Sequence, residues 1–280
     1  MGAPARGTST GEGTLTADAN PAREITVRVR ELFARTGRWT GSRLRRHRGW
    51  AHLGERRVPL ETALVLDGRW QRLEFEGVVI EARAALPPLV LLDKPVGAVT
   101  SRRNEHGAPT VFDGLPHALR SRVHPVGRLD RATSGLLLLT ADGGVVQRLT
   151  HPKRAVPRVY RAVLQGQPDE AALAALREGE LALADGHRPR PTGIEPVEEG
   201  VWDVVLTEGK YHEVRRLFAA AGAHVTELRR IAYGDFRLED LRGAHLRRLD
   251  DAEVAAAYAR MGLPSPPAEP DVREVDPGAG

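Results

Sequence analysis

The stretch that most limits what this chain can fold into runs from Val126 to Gly143, Val-Gly-Arg-Leu-Asp-Arg-Ala-Thr-Ser-Gly-Leu-Leu-Leu-Leu-Thr-Ala-Asp-Gly. A polar turn gives way directly to Leu136–Leu139. An apolar run of that length between turn residues has no solvent face, so it reads as a strand buried on both sides. Asp130, flanked by Arg128 and Arg131, stands where the loop enters this core. A carboxylate held there by a rigid scaffold is a candidate functional group. A side chain that only caps the turn is the local alternative.

The wider chain narrows the classes open to it. With no cysteine it has no disulfide, no thiolate zinc site and no Cys nucleophile, which fits a cytoplasmic location. Its ten histidines are scattered without metal-ligand spacing, so no metal is expected. No segment approaches the ~20 apolar residues of a membrane span, and the first twenty residues lack the apolar centre of a secretory signal. Net charge is only +4, yet residues 23–58 carry eleven Arg against three Glu. A basic module beside a nearly neutral body suggests a polyanion-binding appendage; a merely solvated arginine-rich face is the alternative. Of 41 basic residues only Lys94, Lys153 and Lys210 are lysine. Two of them sit in punctuated motifs, Asp-Lys-Pro-Val-Gly and Glu-Gly-Lys-Tyr-His.

Composition divides the chain into a disordered tail over 1–22, a small basic domain over 23–84, a linker over 85–88, a catalytic body over 89–262 and a disordered acidic tail over 263–280. In the basic domain, a helix is expected over Val29–Ala34 and β-like pieces at Trp50–Leu53 and Leu73–Ile80. In the body, Leu89–Leu92 and Leu136–Leu139 read as central strands, and Val159–Leu164 and Val201–Leu206 as half-buried ones. Helices are expected at Asp142–Leu149, Asp169–Arg177, Tyr211–Ala221 and Asp251–Arg260. Strands in runs with helices between them make an α+β fold with a mixed sheet.

Four motifs follow in order: Leu91-Leu92-Asp93-Lys94-Pro95-Val96-Gly97, Gly127-Arg128-Leu129-Asp130, Arg158-Val159-Tyr160-Arg161-Ala162-Val163, and Glu208-Gly209-Lys210-Tyr211-His212-Glu213-Val214-Arg215-Arg216. With these motifs the chain resembles the RsuA/RluB branch of the pseudouridine synthases over residues 89 to about 255. The segment His224–Leu249 looks most like the RsuA subgroup, which modifies small-subunit ribosomal RNA. Ser42-Arg43 through Gly54 loosely resembles the αL RNA-binding domain that precedes many of these enzymes, although Arg28-Val29-Arg30 and Leu53-Gly54-Glu55 depart from its usual start and turn.

The resemblance implies a pseudouridine synthase fold, with a mostly antiparallel sheet flanked by helices around a central cleft. It implies isomerisation of uridine to pseudouridine in ribosomal RNA, with no cofactor. The partner would be that RNA, within a ribosomal assembly intermediate, and the protein a monomer. Asp130 would act at the ribose, as nucleophile or as base. Tyr160 would stack on the uracil, and Arg215 would pair with Asp130 and keep it charged. Arg128 would fill the space left by a flipped base. Lys94, Lys210, Arg216, Arg43, Arg45 and Arg46 would contact the RNA backbone, although Lys94 also suits a brace under the active site. A large-subunit target, or a catalytically silent RNA-binding assembly factor, are the other readings. A hydrolytic glycosidase would need a second placed carboxylate.

Overall fold

A computed structural model of the chain describes residues 24–103 and 107–276. The tail expected over 1–22 lies outside the described residues, as do 277–280.

In the first part, β1 (Ile25–Arg28), α1 (Val29–Ala34), α2 (Gly41–Arg46), β2 (Trp50–Leu53), β3 (Arg56–Pro59), β4 (Ala63–Leu66), β5 (Gln71–Phe75) and β6 (Val78–Ala85) close around a core of their own. The Thr40 side chain caps α2 by accepting from the Arg43 N–H. Leu44 is the buried residue of that helix, which leaves Arg43, Arg45 and Arg46 in solvent. The single β piece expected over Leu73–Ile80 is a hairpin. Glu76 and Gly77 both take positive φ, 47° and 75°, and reverse the chain between β5 and β6.

The larger body holds β7 (Leu89–Lys94), α3 (His117–Arg120), β8 (His124–Pro125), β9 (Ser134–Thr140), α4 (Gly143–Thr150), β10 (Arg158–Gln165), α5 (Glu170–Glu178), β11 (Gly193–Glu198), β12 (Val201–Leu206), α6 (Glu213–Ala220), β13 (His224–Tyr233), β14 (Phe236–Arg237), β15 (Leu246–Arg248) and α7 (Asp251–Met261). Its sheet runs β11-β12-β10-β13-β9-β7-β15, with β14 on β13 and β8 on β9. All its strand pairs are antiparallel except β9 with β13, so the sheet is mixed.

The four leucines explain why β9 is central. Leu136 and Leu138 face a layer with Val145 and Leu149 of α4 and Val254 and Tyr258 of α7. Leu137 and Leu139 face the opposite layer with Val111, Phe112 and Leu115. Each is fully buried and contributes roughly 2 kcal/mol by leaving water. Just before them, Gly135 has φ 102°, and a Cβ there would lie 2.3 Å from the Arg230 carbonyl oxygen. Only glycine lets β13 pass this close in parallel register, with Gly135 opposite Arg230.

Two expectations fail at the junction of the parts. The segment 85–88 expected as a linker is not a free spacer: β6 runs through Ala85, and all four residues are buried. Nor are residues 263–276 a disordered tail. A final strand, β16 (Glu269–Val275), returns to pair with β6 along its length and puts Val272 into the N-terminal core. Its sparse apolar content hid it, because the strand is held by backbone hydrogen bonds and an Arg273–Glu81 pair to β6, and by Arg248 of β15 to Asp271. Composition cannot register such partners when they lie far away in sequence.

Candidate active site

Asp130 lies in the turn that leads into β9, with its side chain 39% exposed. Two segments buckle that turn in place. Its own backbone closes through the Thr133 N–H to the Asp130 carbonyl at 3.0 Å. The loop after β7 then grips it: the Gly97 N–H donates to the Arg131 carbonyl at 2.8 Å, and Thr100 Oγ1 donates to the Leu129 carbonyl at 2.9 Å. Lys94 Nζ donates to the carbonyls of Thr133 at 2.7 Å and Pro95 at 3.0 Å.

Lys94 is therefore not an RNA contact. It is fully buried, and it braces the floor beneath the carboxylate. Burial pulls its ammonium down to about 8, a fall that the charge of Asp130 opposes and that of Arg230 assists. Arg230 itself is buried, donating Nε to the Leu136 carbonyl at 2.8 Å and resting its guanidinium on the Tyr233 ring. Tyr233 donates to the Leu149 carbonyl and accepts from Arg158, whose other nitrogen holds the carbonyls of Thr207 and Glu208. One connected polar layer thus joins the end of α4, the start of β10 and the exit of β12 beneath the site.

Above this layer opens a cleft of about 610 Å³, a size suited to a nucleotide. Asp130, Arg128, Tyr160 and Lys210 all line it. Tyr160 is half-buried beside the β10 irregularity, opposite Arg230 on β13 and Val204 on β12. Arg128 and Lys210 are exposed and point the cleft's charge toward an anion. The two arginines of α6 behave differently from expectation. Arg215 donates to the carbonyls of Val225 at 2.7 Å and Ala132 at 3.1 Å, so it ties α6 and β13 to the residue two beyond Asp130. It positions the turn rather than pairing with the carboxylate. Arg216 is engaged with Asp185 and the Tyr211 carbonyl, so it is no free phosphate contact in this structure.

The carboxylate is met instead by His212, whose Nε2 lies 3.6 Å from Asp130 Oδ2, an ion pair when the imidazole is protonated. His212 precedes α6 with φ 49°, a conformation uncommon for a residue with a Cβ, and its ring stacks on Tyr211. The sequence offered Glu-Gly-Lys-Tyr-His as a motif but gave no sign of this backbone geometry. Arg230 was equally hidden, because an arginine in a strand reads as solvent-facing.

Behind the rim, His187 Nε2 lies 3.2 Å from Glu213 and 3.3 Å from Glu208, while the other Glu213 oxygen accepts the Lys210 N–H at 3.0 Å. Among the described residues these three are the His and acidic groups close enough together to share a metal ion. Their donor atoms already serve one another and the backbone, so the cluster braces the loop 207–212. Burial raises the Glu213 carboxyl above its ordinary range, opposed by the Lys210 N–H and His187. Arg43, Arg45 and Arg46 stand on α2 in the N-terminal part and do not line this cleft.

Residues 88–220 match the family described as RNA pseudouridylate synthase. Relatives named "Ribosomal large subunit pseudouridine synthase B" are similar over much of the body. That of Haemophilus influenzae is 45% identical over 176 residues, 61% of this chain and 49% of the relative. That of Yersinia pestis is 40% identical over 190 residues, 66% and 58%. That of Escherichia coli K12 is 43% identical over 177 residues, 60% and 59%. The chain thus spans about half the length of the curated relatives it matches. A crystal structure titled as a pseudouridylate synthase superposes with a TM-score of 0.55 at 28% identity, over 81% of this chain and 98% of that one. No helix among the described residues is long and apolar enough to cross a membrane. The ordered motifs, the mixed sheet around the Asp130 cleft and these likenesses agree: the body of the chain has a pseudouridine synthase fold, and residues 88–220 are similar to the RNA pseudouridylate synthase family.

Proposed function

We infer that this protein isomerises uridine to pseudouridine in ribosomal RNA, and that the target lies in the large-subunit RNA. The observation that carries the reading is Asp130: a half-exposed carboxylate in a turn fixed on every side, open to a nucleotide-sized cleft. The target follows the names of the 40–45% identical relatives. This displaces the small-subunit expectation drawn from His224–Leu249. Two of that segment's basic residues are absorbed by the fold: Arg230 binds the Leu136 carbonyl, and Arg229 pairs with Asp93.

The chemistry asks little beyond positioning. A uridine must leave its stack to reach the cleft, at a cost of a few kcal/mol, and in this reading Arg128, an exposed residue of the cleft lining, fills the gap. Asp130 then acts at C1′ as nucleophile or at C2′ as base. The N1–C1′ bond breaks, the uracil turns against Tyr160, and C5 bonds to C1′ as the Asp130–C1′ bond breaks or Asp130 returns the proton to C2′; C5 then loses its proton and N1 gains one. No electron donor or acceptor enters that balance. Arg215 and Lys94 hold the turn from which Asp130 acts. Lys210 at the rim and Arg43, Arg45 and Arg46 on α2 are available for phosphates.

Separate incubation of the protein with large- and small-subunit ribosomal RNA, followed by mapping of pseudouridine, tests both parts. A new pseudouridine confined to the large-subunit RNA is expected. Modification confined to the small-subunit RNA overturns the target, and none in either RNA overturns the activity.

A further inference from the structure

Among the cleft-lining residues to which the chemistry gives no part, the one that stands apart is Tyr211. It is 75% exposed, the most exposed of the large apolar side chains among the described residues. The other exposed aromatic residues, Trp50 and Trp70, are roofed by Arg57 and by Arg83 with Arg273. Tyr211 has a ring against one face only: the His212 imidazole, with centroids 3.8 Å apart and planes 17° from parallel. Holding an aromatic ring this far into water forgoes its burial.

The backbone that carries the ring is also held on both sides. His212 occupies the left-handed region and starts α6. The Lys210 N–H on the other side is bonded to buried Glu213, and the Tyr211 carbonyl accepts from Arg216. His212 thus meets the Asp130 carboxylate at its Nε2 edge and the Tyr211 ring on its face, and Tyr211 stands open to solvent. The flipped uridine goes to Asp130. A flat group resting on the free face of Tyr211 would therefore be separated from the Asp130 carboxylate by the Tyr211 and His212 rings, next to exposed Lys210 in the chain.

We propose that Tyr211, stacked on His212, is a platform for the nucleobase that flanks the target uridine in the RNA chain. It rests on the RNA-modifying reading above and adds a subsite to it. Stacking of a base on an exposed aromatic ring is the common way a protein holds single-stranded RNA, and it tolerates any base because each has a π-face. The subsite selects for an unpaired neighbour, whose face is free, over a neighbour locked in a helix.

The test measures binding in the Asp130→Asn background, so that no turnover intervenes. The probe is a single-stranded RNA heptanucleotide with a central uridine and 2-aminopurine on one side or the other. With Tyr211 present, the fluorescence of 2-aminopurine on one side is quenched on binding. Tyr211→Ala weakens binding about tenfold and abolishes that quenching, while Tyr211→Phe, which keeps the ring, restores both. Replacing the quenched base by an abasic residue costs the Tyr211 protein the same factor and the Ala variant nothing. Equal affinity of the Tyr and Ala proteins, or an abasic penalty shared by both, overturns the platform while leaving the RNA reading intact. Failure of the Tyr211 protein to bind any of these RNAs overturns both.

Discussion

The floor of the cleft and its rim are built on opposite terms. In the floor, Lys94 Nζ and Arg230 Nε are buried and hydrogen-bonded to backbone carbonyls of the Asp130 turn and of β9. At the rim, Tyr211 and Lys210 are exposed, and the loop that carries them is fixed from behind by His187, Glu208 and Glu213. The floor spends its polar groups on structure and leaves one carboxylate accessible. The rim spends its structure on presenting side chains to solvent. Substitutions in the floor should therefore register in stability, and substitutions at the rim in affinity for RNA.

The largest effect is expected at Gly135→Ala. The new Cβ would meet the Arg230 backbone at 2.3 and 2.8 Å, at a φ of 102°. Neither side can yield without breaking the β9–β13 pairing, so a loss of about 3 kcal/mol or more is expected in denaturant unfolding. A loss under about 1 kcal/mol would mean that the strands can separate at little cost, and the floor is not rigid.

Lys94→Met follows, at about 2 kcal/mol, because the carbonyls of Thr133 and Pro95 lose a buried donor. It also carries a pH signature. The folded-state amine titrates near 8 against 10.5 for a free lysine, so across that window the unfolded chain holds more protons. Unfolding free energy of the native protein should then rise with pH relative to the Met variant between about 8 and 10.5, and run parallel to it below 8. Parallel curves across the whole range would show that Lys94 is not the group titrating.

The smallest stability effect belongs behind the rim. His187→Ala removes one of the partners of the Glu213 carboxylate and leaves the Lys210 N–H in place. About 1 kcal/mol or less is expected, with a several-fold rise in KM for RNA and little change in kcat. A fall in kcat at constant KM would assign the cluster to the chemistry instead of to the loop.

Much of this contrast follows from what a sequence can and cannot carry. The β9 leucines and the apolar face of α6 were legible because their spacing repeats over several residues, and both lie where expected. Asp130, Tyr160 and Arg128 were legible as members of an ordered motif set, and the structure brings them to one cleft. The direction of a long cation was not. Lys94, Arg215 and Arg216 looked like groups aimed at RNA or at Asp130, yet each has a backbone or acidic partner decided by tertiary packing. The left-handed φ of His212 left no mark on residue type, since the position is not a glycine. β16 escaped because its stability comes from pairing with a strand nearly two hundred residues earlier.

The central claim is that the Asp130 carboxylate, held by this floor, performs the isomerisation. Ribosomal RNA carrying tritium at C5 of uridine measures it directly, since the label is released only when C5 gives up its hydrogen. The native protein should release tritium, and Asp130→Asn should be slower by at least about 10³-fold while unfolding at nearly the same temperature. Release at equal rates by both proteins would contradict the account.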